Sequence, residues 1–262
     1  MLLYEFRLSI RNRLVILCLI IGVISGLPGI FSYYSDATFM WASNQNDAVS
    51  CYQAWLYMLS MSSASIYKVI VPLLIIPNLD SFFLERKYGY SNFVIVRSNY
   101  KRYFFSKLIS GTITAGLILV SILVSWLIFC MMIFPGNMPV KEYTYITNSS
   151  LCNFYVNNPI LYIMIIICSN FLFAVIFYSL GFGASYFCKN RYIVITTPFL
   201  IYLTITMLSS ILRIAPMSPV SLIVPHEVLG VSWQTVLIEF SIWFCISCGI
   251  VLYCFNTSRR EV

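Results

Sequence analysis

Several apolar runs of about 20 residues, separated by polar segments, constrain this chain more than any other feature. A run of that length crosses a hydrocarbon layer about 30 Å thick as a single helix. Only 10% of the residues are charged, whereas a soluble domain has about 25%. Because a helix satisfies its own backbone hydrogen bonds inside lipid, the runs predict an all-α membrane protein.

The apolar runs predict six transmembrane helices in one transmembrane domain covering residues 1–262. The spans are expected at about 14–32, 62–84, 104–134, 159–187, 192–212 and 233–255. Residues 1–13 place apolar side chains at helical spacing and arginines on another face, which predicts a short helix in the membrane interface. Its candidate contact residues are Tyr4, Phe6 and Arg7.

Glycines and prolines predict local features of the first two spans. Gly22 and Gly26 form a Gly-x-x-x-Gly in the first span, a spacing that permits close contact between helices. Pro72 and Pro77 are expected to kink the second span. The polar and aromatic residues 33–60 that connect the two spans contain no Lys or Arg, and we expect them to form an outer loop.

The distribution of basic residues predicts the orientation of the spans. This layout puts thirteen of the sixteen Lys and Arg residues on one side of the membrane. Positive charge next to spans marks the cytoplasmic side, so both termini are expected there, in a multi-pass protein of the bacterial inner (plasma) membrane. The basic residues lie between spans and do not form one folded face, so the lipid bilayer, and not nucleic acid, is the expected surrounding.

The polar segment between the second and third spans carries the densest positive charge. We call residues 85–103 the coupling segment. Ser91–Val96 within it is too short to span a membrane and too apolar for a solvated loop, and Gly89 permits a tight turn before it. Such a pattern favours a small helix that docks a soluble partner, although a loop whose charges only set orientation remains an alternative. The candidate docking residues are Glu85, Arg86, Lys87, Gly89, Phe93, Val94, Arg97, Tyr100 and Lys101.

The junction around the coupling segment resembles a known family. Phe82-x-x-Glu85-x-x-x-Gly89, followed by Arg97-Ser98-x-Tyr100-Lys101-x-Tyr103-x-x-x-Lys107, is similar to the corresponding junction in ABC-2 type (type-2 ABC exporter) permeases. The resemblance implies a transmembrane subunit that works as a homodimer or heterodimer. A separate ABC ATP-binding subunit would dock on each coupling segment and hold the ATP and Mg. It further implies export, which for a chain with small outer loops favours a peptide or a hydrophobic small molecule.

Motifs for chemistry on this chain are not found in the sequence. There is no Gly-x-x-x-x-Gly-Lys-Ser/Thr for nucleotide, and the single histidine, His226, has no cluster of metal ligands around it. We therefore expect no enzyme activity and no cofactor on this chain. Two other functions stay open: an ATP-independent secondary transporter or channel, and a membrane protein that docks a soluble regulator without transporting anything.

Two residue pairs complete the candidate sites. Lys68 and Glu239 lie at similar depths in the second and sixth spans, so an intramembrane ion pair is one hypothesis. The other is that Lys68 extends to the outer interface. Cys51 and Cys152 fall in segments expected outside, where they would form either a disulfide or two free thiols.

Overall fold

The computed structural model describes most of the chain. The residues outside the description are 1, 43–48, 61–64, 80, 91–92, 94–98, 145, 147–148, 189, 215–216, 229–230 and 262. Residues 60, 65–66, 149–150 and 258–261 are described by their backbone only. Every regular element among the described residues is helical, in agreement with the predicted all-α class.

Eleven α-helices are described, numbered here in chain order. They are α1 (Leu2–Ile10), α2 (Arg13–Ala42), α3 (Cys51–Ser60), α4 (Ser65–Leu74), α5 (Ser81–Lys87), α6 (Tyr100–Ile133), α7 (Ser149–Asn157), α8 (Pro159–Phe187), α9 (Arg191–Ile211), α10 (Val220–Ile223) and α11 (Trp233–Glu261). A 3-10 turn, Lys141–Tyr143, lies between α6 and α7.

Five of the described helices, α2, α6, α8, α9 and α11, are long and apolar enough to cross a membrane. Helix α8 lies at the centre of the bundle and packs against α6, α9 and α11. The bounds of α6, α8 and α9 agree with the predicted third, fourth and fifth spans to within four residues. The chain is therefore a helical, multi-pass membrane protein.

The predicted boundary of the first span is wrong, and much of the segment predicted as a loop, 33–60, is helical. Helix α2 continues to Ala42, because the sequence after Gly29 contains no glycine or proline to end it and because Tyr33 and Ala37 are buried. Within the same predicted loop, α3 is helical and its Trp55 is fully buried, with Nε1 donating to the carbonyl of Leu123 at 3.1 Å. Aromatic residues of this segment, Tyr33 and Trp55, therefore belong to the core.

The predicted second span, 62–84, is not one continuous helix. It is described as α4 and α5, with a break between them that contains Pro77 and Asn78. Pro77 disfavours helical backbone at the residue before it, and Asn78 has a left-handed φ of 70°. Pro72, in contrast, stays inside α4. The interruption is therefore a break in the helix and not the kink that the prolines suggested.

The close contact predicted at Gly22 and Gly26 is confirmed. A Cβ atom built on Gly22 would lie 2.2 Å from Cδ1 of Ile122, and one built on Gly26 would lie 2.3 Å from Cε2 of Trp126. The indole of Trp126 is held in place, since its Nε1 donates to the carbonyl of Val23 at 3.2 Å. The two glycines therefore let α2 and α6 approach each other.

Replacing Gly26 by alanine is expected to destabilise the fold by about 1–3 kcal/mol, the usual cost of overpacking. The added methyl group collides with the indole of Trp126, which cannot move away without losing its hydrogen bond to Val23. Thermal unfolding of the detergent-purified protein measures the effect. Gly249→Ala, in α11, is the matched control because a Cβ there meets no atom within 4 Å. Equal unfolding temperatures for the two variants would contradict the packing described here.

Candidate functional site

A buried ion cluster forms where α1, α5 and α6 meet. The side chain of Lys107 is 4% exposed, and its Nζ lies 2.6 Å from Oε1 of Glu85 and 2.9 Å from Oε2 of Glu5. The hydroxyl of Tyr103 donates to the other oxygen of Glu85 at 2.5 Å. We call Glu5, Glu85, Tyr103 and Lys107 the ion cluster. Because one ammonium lies between two carboxylates, removal of Lys107 leaves two buried carboxylates without a counter-charge.

Each side chain of the ion cluster is positioned by one of the three helices. Tyr103 and Lys107 are four residues apart on α6 and so lie on one face of that helix. Glu85 lies on α5, and Glu5 is on the face of α1 that packs against α6. Asn99 caps the start of α6, because its side chain accepts a hydrogen bond from the backbone amide of Lys101.

Aromatic rings pack beside the ion cluster. Phe82 lies between α6 and α8, with its ring centroid 6.1 Å from that of Tyr103 and 4.8 Å from that of Phe182. Tyr100 stacks on Phe255 of α11 at 5.9 Å. The cluster is therefore packed against the helical bundle through α5 and α6.

Arg86 is directed towards the end of α8. Its guanidinium carbon lies 4.2 Å from the centroid of the Tyr186 ring, and Nη1 donates to the Tyr186 carbonyl at 3.4 Å. Phe83, Arg86 and Lys87 line one side of a groove of about 430 Å³, and residues 185–188 line the other. Of the two adjacent basic residues, Arg86 therefore contacts the bundle, whereas Lys87 is exposed.

An exposed aromatic surface follows Glu85 of the ion cluster along the chain. Gly89 has a left-handed φ of 72°, so the predicted tight turn is confirmed. Around it, Tyr88 is 76%, Tyr90 53% and Phe93 74% exposed. We call these three residues the exposed aromatic surface. Val94 and Arg97, which were also predicted to dock a partner, lie outside the described residues. Lys101 is exposed at the start of α6, whereas Tyr100 is half-buried.

The predicted N-terminal helix exists, but the residue that joins it to the site was missed. Tyr4 and Arg7 are exposed and Phe6 is half-buried, whereas Glu5 is 7% exposed and reaches Lys107. A single carboxylate among the basic residues of the first helix was the signal that could have indicated this role.

The predicted pair between Lys68 and Glu239 is wrong. Lys68 is paired with Glu227, and Glu239 accepts a hydrogen bond from Ser221. The reason is that the segment between α9 and α11 folds back into the bundle, which brings Glu227 to Lys68. Asn170, at the centre of α8, holds this segment by donating to the carbonyl of Ile223 at 3.1 Å.

His226 lies in the same folded-back segment and is fully buried. Burial, together with the positive charge of Lys68, lowers the pKa of His226 to about 3. The ring is therefore neutral at physiological pH. Its centroid lies 6.2 Å from that of the Tyr162 ring, so the histidine belongs to the packing of this end of the bundle.

Of the two possibilities left open for Cys51 and Cys152, the structure shows two free thiols. The sulfur of Cys152 lies 3.2 Å from the hydroxyl of Thr144, and the amide of Cys51 donates to the carbonyl of Pro135 at 2.9 Å. Each cysteine thus has its own local contacts on a different helix.

Comparison with family models, with characterised proteins and with solved structures finds no match to this chain. The five apolar helices establish the class of multi-pass helical membrane proteins. The features that bear on a more specific function are the ion cluster, the exposed aromatic surface and the sequence motif between Phe82 and Lys107.

Proposed function

We propose that this chain is the permease subunit of an ATP-driven exporter of the ABC-2 type. A separate ATP-binding subunit docks on the coupling segment, holds ATP and Mg, and drives the export of a peptide or a hydrophobic small molecule. Two permease chains, identical or related, form the path in the plasma membrane. The observation that carries this proposal is the position of the ion cluster directly beside the exposed aromatic surface.

The ion cluster is suited to transmit a displacement. Only one turn of chain separates Glu85 from Tyr88, and Glu85 is tied through Lys107 to both α6 and α1. A displacement of the exposed aromatic surface by a partner would move α5, α6 and α1 together, because separating them would leave buried charges uncompensated. Coupling through a contiguous packed network of this kind is what an external motor requires.

The exposed aromatic surface has the chemistry of a docking site. Three large side chains that are at least half exposed follow the exposed Lys87 in the chain, and Lys101 is exposed at the start of α6. Aromatic residues are enriched in protein interfaces, and a rim of charged residues adds specificity. A soluble partner with an apolar groove and an acidic rim fits this surface.

Six spans with both termini in the cytoplasm are part of the same proposal, with the interrupted α4–α5 segment as the second crossing. Tyr67 of α4 packs on Trp126, and Glu85 of α5 bonds to Lys107, so the segment runs antiparallel to α6. The stretch of α6 between these two contacts is about 28 Å long, close to the thickness of the hydrocarbon layer. The short α1 then lies at the cytoplasmic interface.

Co-purification of the tagged chain, expressed together with the ATP-binding subunits of its native host, tests the proposal. We expect an ATP-binding protein to be retained by the wild type and released by Phe93→Asp, because a charge introduced into the exposed aromatic surface would have to be desolvated on docking. Phe39→Asp is the matched control, since Phe39 is 77% exposed but lies on α2, far along the chain from the coupling segment.

Two results would contradict the proposal. One is a folded wild-type chain that retains no ATP-binding protein, and the other is an equal loss of the partner from Phe93→Asp and Phe39→Asp. Substrate movement in vesicles that contain this chain alone, without nucleotide, would instead favour the ATP-independent transporter.

A further inference from the structure

A cavity of about 240 Å³ lies between α9 and α11 and contains one ionisable side chain. Its lining is otherwise apolar apart from a single serine. The lining residues are Ile205, Leu208, Ser209, Leu212, Ile214, Met217, Glu239, Ile242 and Trp243. A cavity of this type accepts an apolar ligand whose orientation is set by the few polar groups present.

Glu239 is the polar group that distinguishes this cavity. It is 5% exposed, and one carboxylate oxygen, Oε2, accepts a hydrogen bond from Ser221. The other, Oε1, is buried and has no hydrogen-bond partner among the described residues. Trp243, one helical turn further on, is the nearest side-chain donor on that helix to the same carboxylate and also lines the cavity. Glu239 therefore places a buried carboxyl group, one of whose oxygens forms no well-aligned hydrogen bond among the described residues, beside an apolar space.

Glu239 forms no ion pair with a basic side chain among the described residues. A separate groove on the other side of Ser209 contains Lys68, Glu227 and Arg213, and there Lys68 is paired with Glu227. Positions 215 and 216, which lie outside the described residues, are alanine and proline in the sequence and carry no charge. The lining thus offers one carboxyl group and no basic group.

From this arrangement we infer that the cavity binds hydrophobic cations. The positive centre of the ligand pairs with the free side of the Glu239 carboxylate, and the aromatic face of Trp243 adds a cation–π contact. The apolar body of the ligand fills the space between Leu208 and Ile242. A buried carboxylate in a span marks a functional site by default, and a cation compensates it in a way that a neutral ligand cannot.

If the bound cation is the exported substrate, the substrate class is amphiphiles with a positive centre. That step rests on the proposed transport function. Binding itself is measured on this chain alone, without an ATP-binding partner. Failure of the binding experiment and failure of the co-purification experiment are therefore distinguishable.

The test uses the purified full-length chain in phosphatidylcholine nanodiscs and equilibrium dialysis with tetraphenylphosphonium. The anion tetraphenylborate, which has nearly the same size and shape, is the matched probe of opposite charge. We expect saturable binding of the cation and none of the anion. Glu239→Gln is expected to weaken cation binding by about tenfold or more, because a close opposite charge is lost from a site shielded from water. Glu239→Asp retains binding.

Three control variants separate the site from general effects on the fold. Glu142→Gln removes an exposed carboxylate elsewhere and should leave binding unchanged. Ile242→Trp fills the cavity and should abolish binding, whereas Leu172→Trp fills a different cavity, of about 290 Å³ and without a charged lining residue, and should not. The inference is overturned if Glu239→Gln binds the cation as wild type does, if both ions bind alike, or if the folded protein shows no saturable cation binding.

Discussion

Replacing Lys107 by methionine is expected to destabilise the protein by about 3–5 kcal/mol, the usual result of removing one partner from a buried ion pair. Methionine keeps most of the volume of lysine but leaves Glu5 and Glu85 facing each other without the ammonium. Both carboxylates are in contact with Lys107, at 2.9 and 2.6 Å. The measurement is thermal unfolding of the detergent-purified variant, together with its yield from the membrane.

The origin of that loss is tested by a compensating variant. Lys107→Met combined with Glu5→Gln and Glu85→Gln carries no uncompensated charge, so most of the lost stability should return. Lys101→Met is the matched control, because Lys101 lies on the same helix but is exposed. If Lys107→Met and Lys101→Met unfolded at the same temperature, the ion cluster would have no role in holding α1, α5 and α6 together.

Replacing Asn78 by valine is expected to cost about 3 kcal/mol, since two separate effects add. Asn78 has a left-handed φ of 70°, which a β-branched residue adopts only with strain. Its side chain is also 7% exposed and joins two parts of the chain. Oδ1 of Asn78 accepts a hydrogen bond from Nδ2 of the Asn12 side chain at 2.9 Å, and Nδ2 of Asn78 donates one to the backbone carbonyl of Ser9 at 3.1 Å.

Asn78→Gly separates the two effects. Glycine adopts the left-handed conformation without strain but provides neither side-chain hydrogen bond. The Asn78→Gly variant should therefore lose about half as much stability as Asn78→Val. Thermal unfolding again measures the difference. Equal destabilisation by valine and glycine would show that the backbone conformation at the break between α4 and α5 contributes nothing.

These two sites explain why the end of the bundle that contains the ion cluster was only partly predicted. Glu85 and Lys107 were both singled out from the motif, and the structure brings them together. Glu5 and Asn78 were not singled out, because their partners lie 102 and 66 residues away along the chain in Lys107 and Asn12. Neither hydropathy nor spacing reports such a contact, since both describe only neighbours in sequence.

The interrupted second span shows a related limit. A run of apolar residues predicts that a segment is buried, and Val71, Leu74 and Ile75 are indeed buried. It does not predict that the helix is continuous. Whether a proline kinks or ends a helix depends on which neighbours satisfy the freed backbone groups. Here the Tyr178 hydroxyl donates to the carbonyl of Asn78 at 3.2 Å, so α8 supplies a partner at the break.

Length, hydropathy and glycine act locally, so they predicted the class of the protein, the bounds of α6, α8 and α9 to within four residues and the tight turn at Gly89. The partners of the charges depend on tertiary packing: Glu5 for Lys107, Glu227 for Lys68, and for Glu239 a serine beside an apolar cavity. A charged or ionisable side chain inside a membrane protein needs a polar partner. Many pairings of the same few side chains would provide one, and the packing of the helices selects among them.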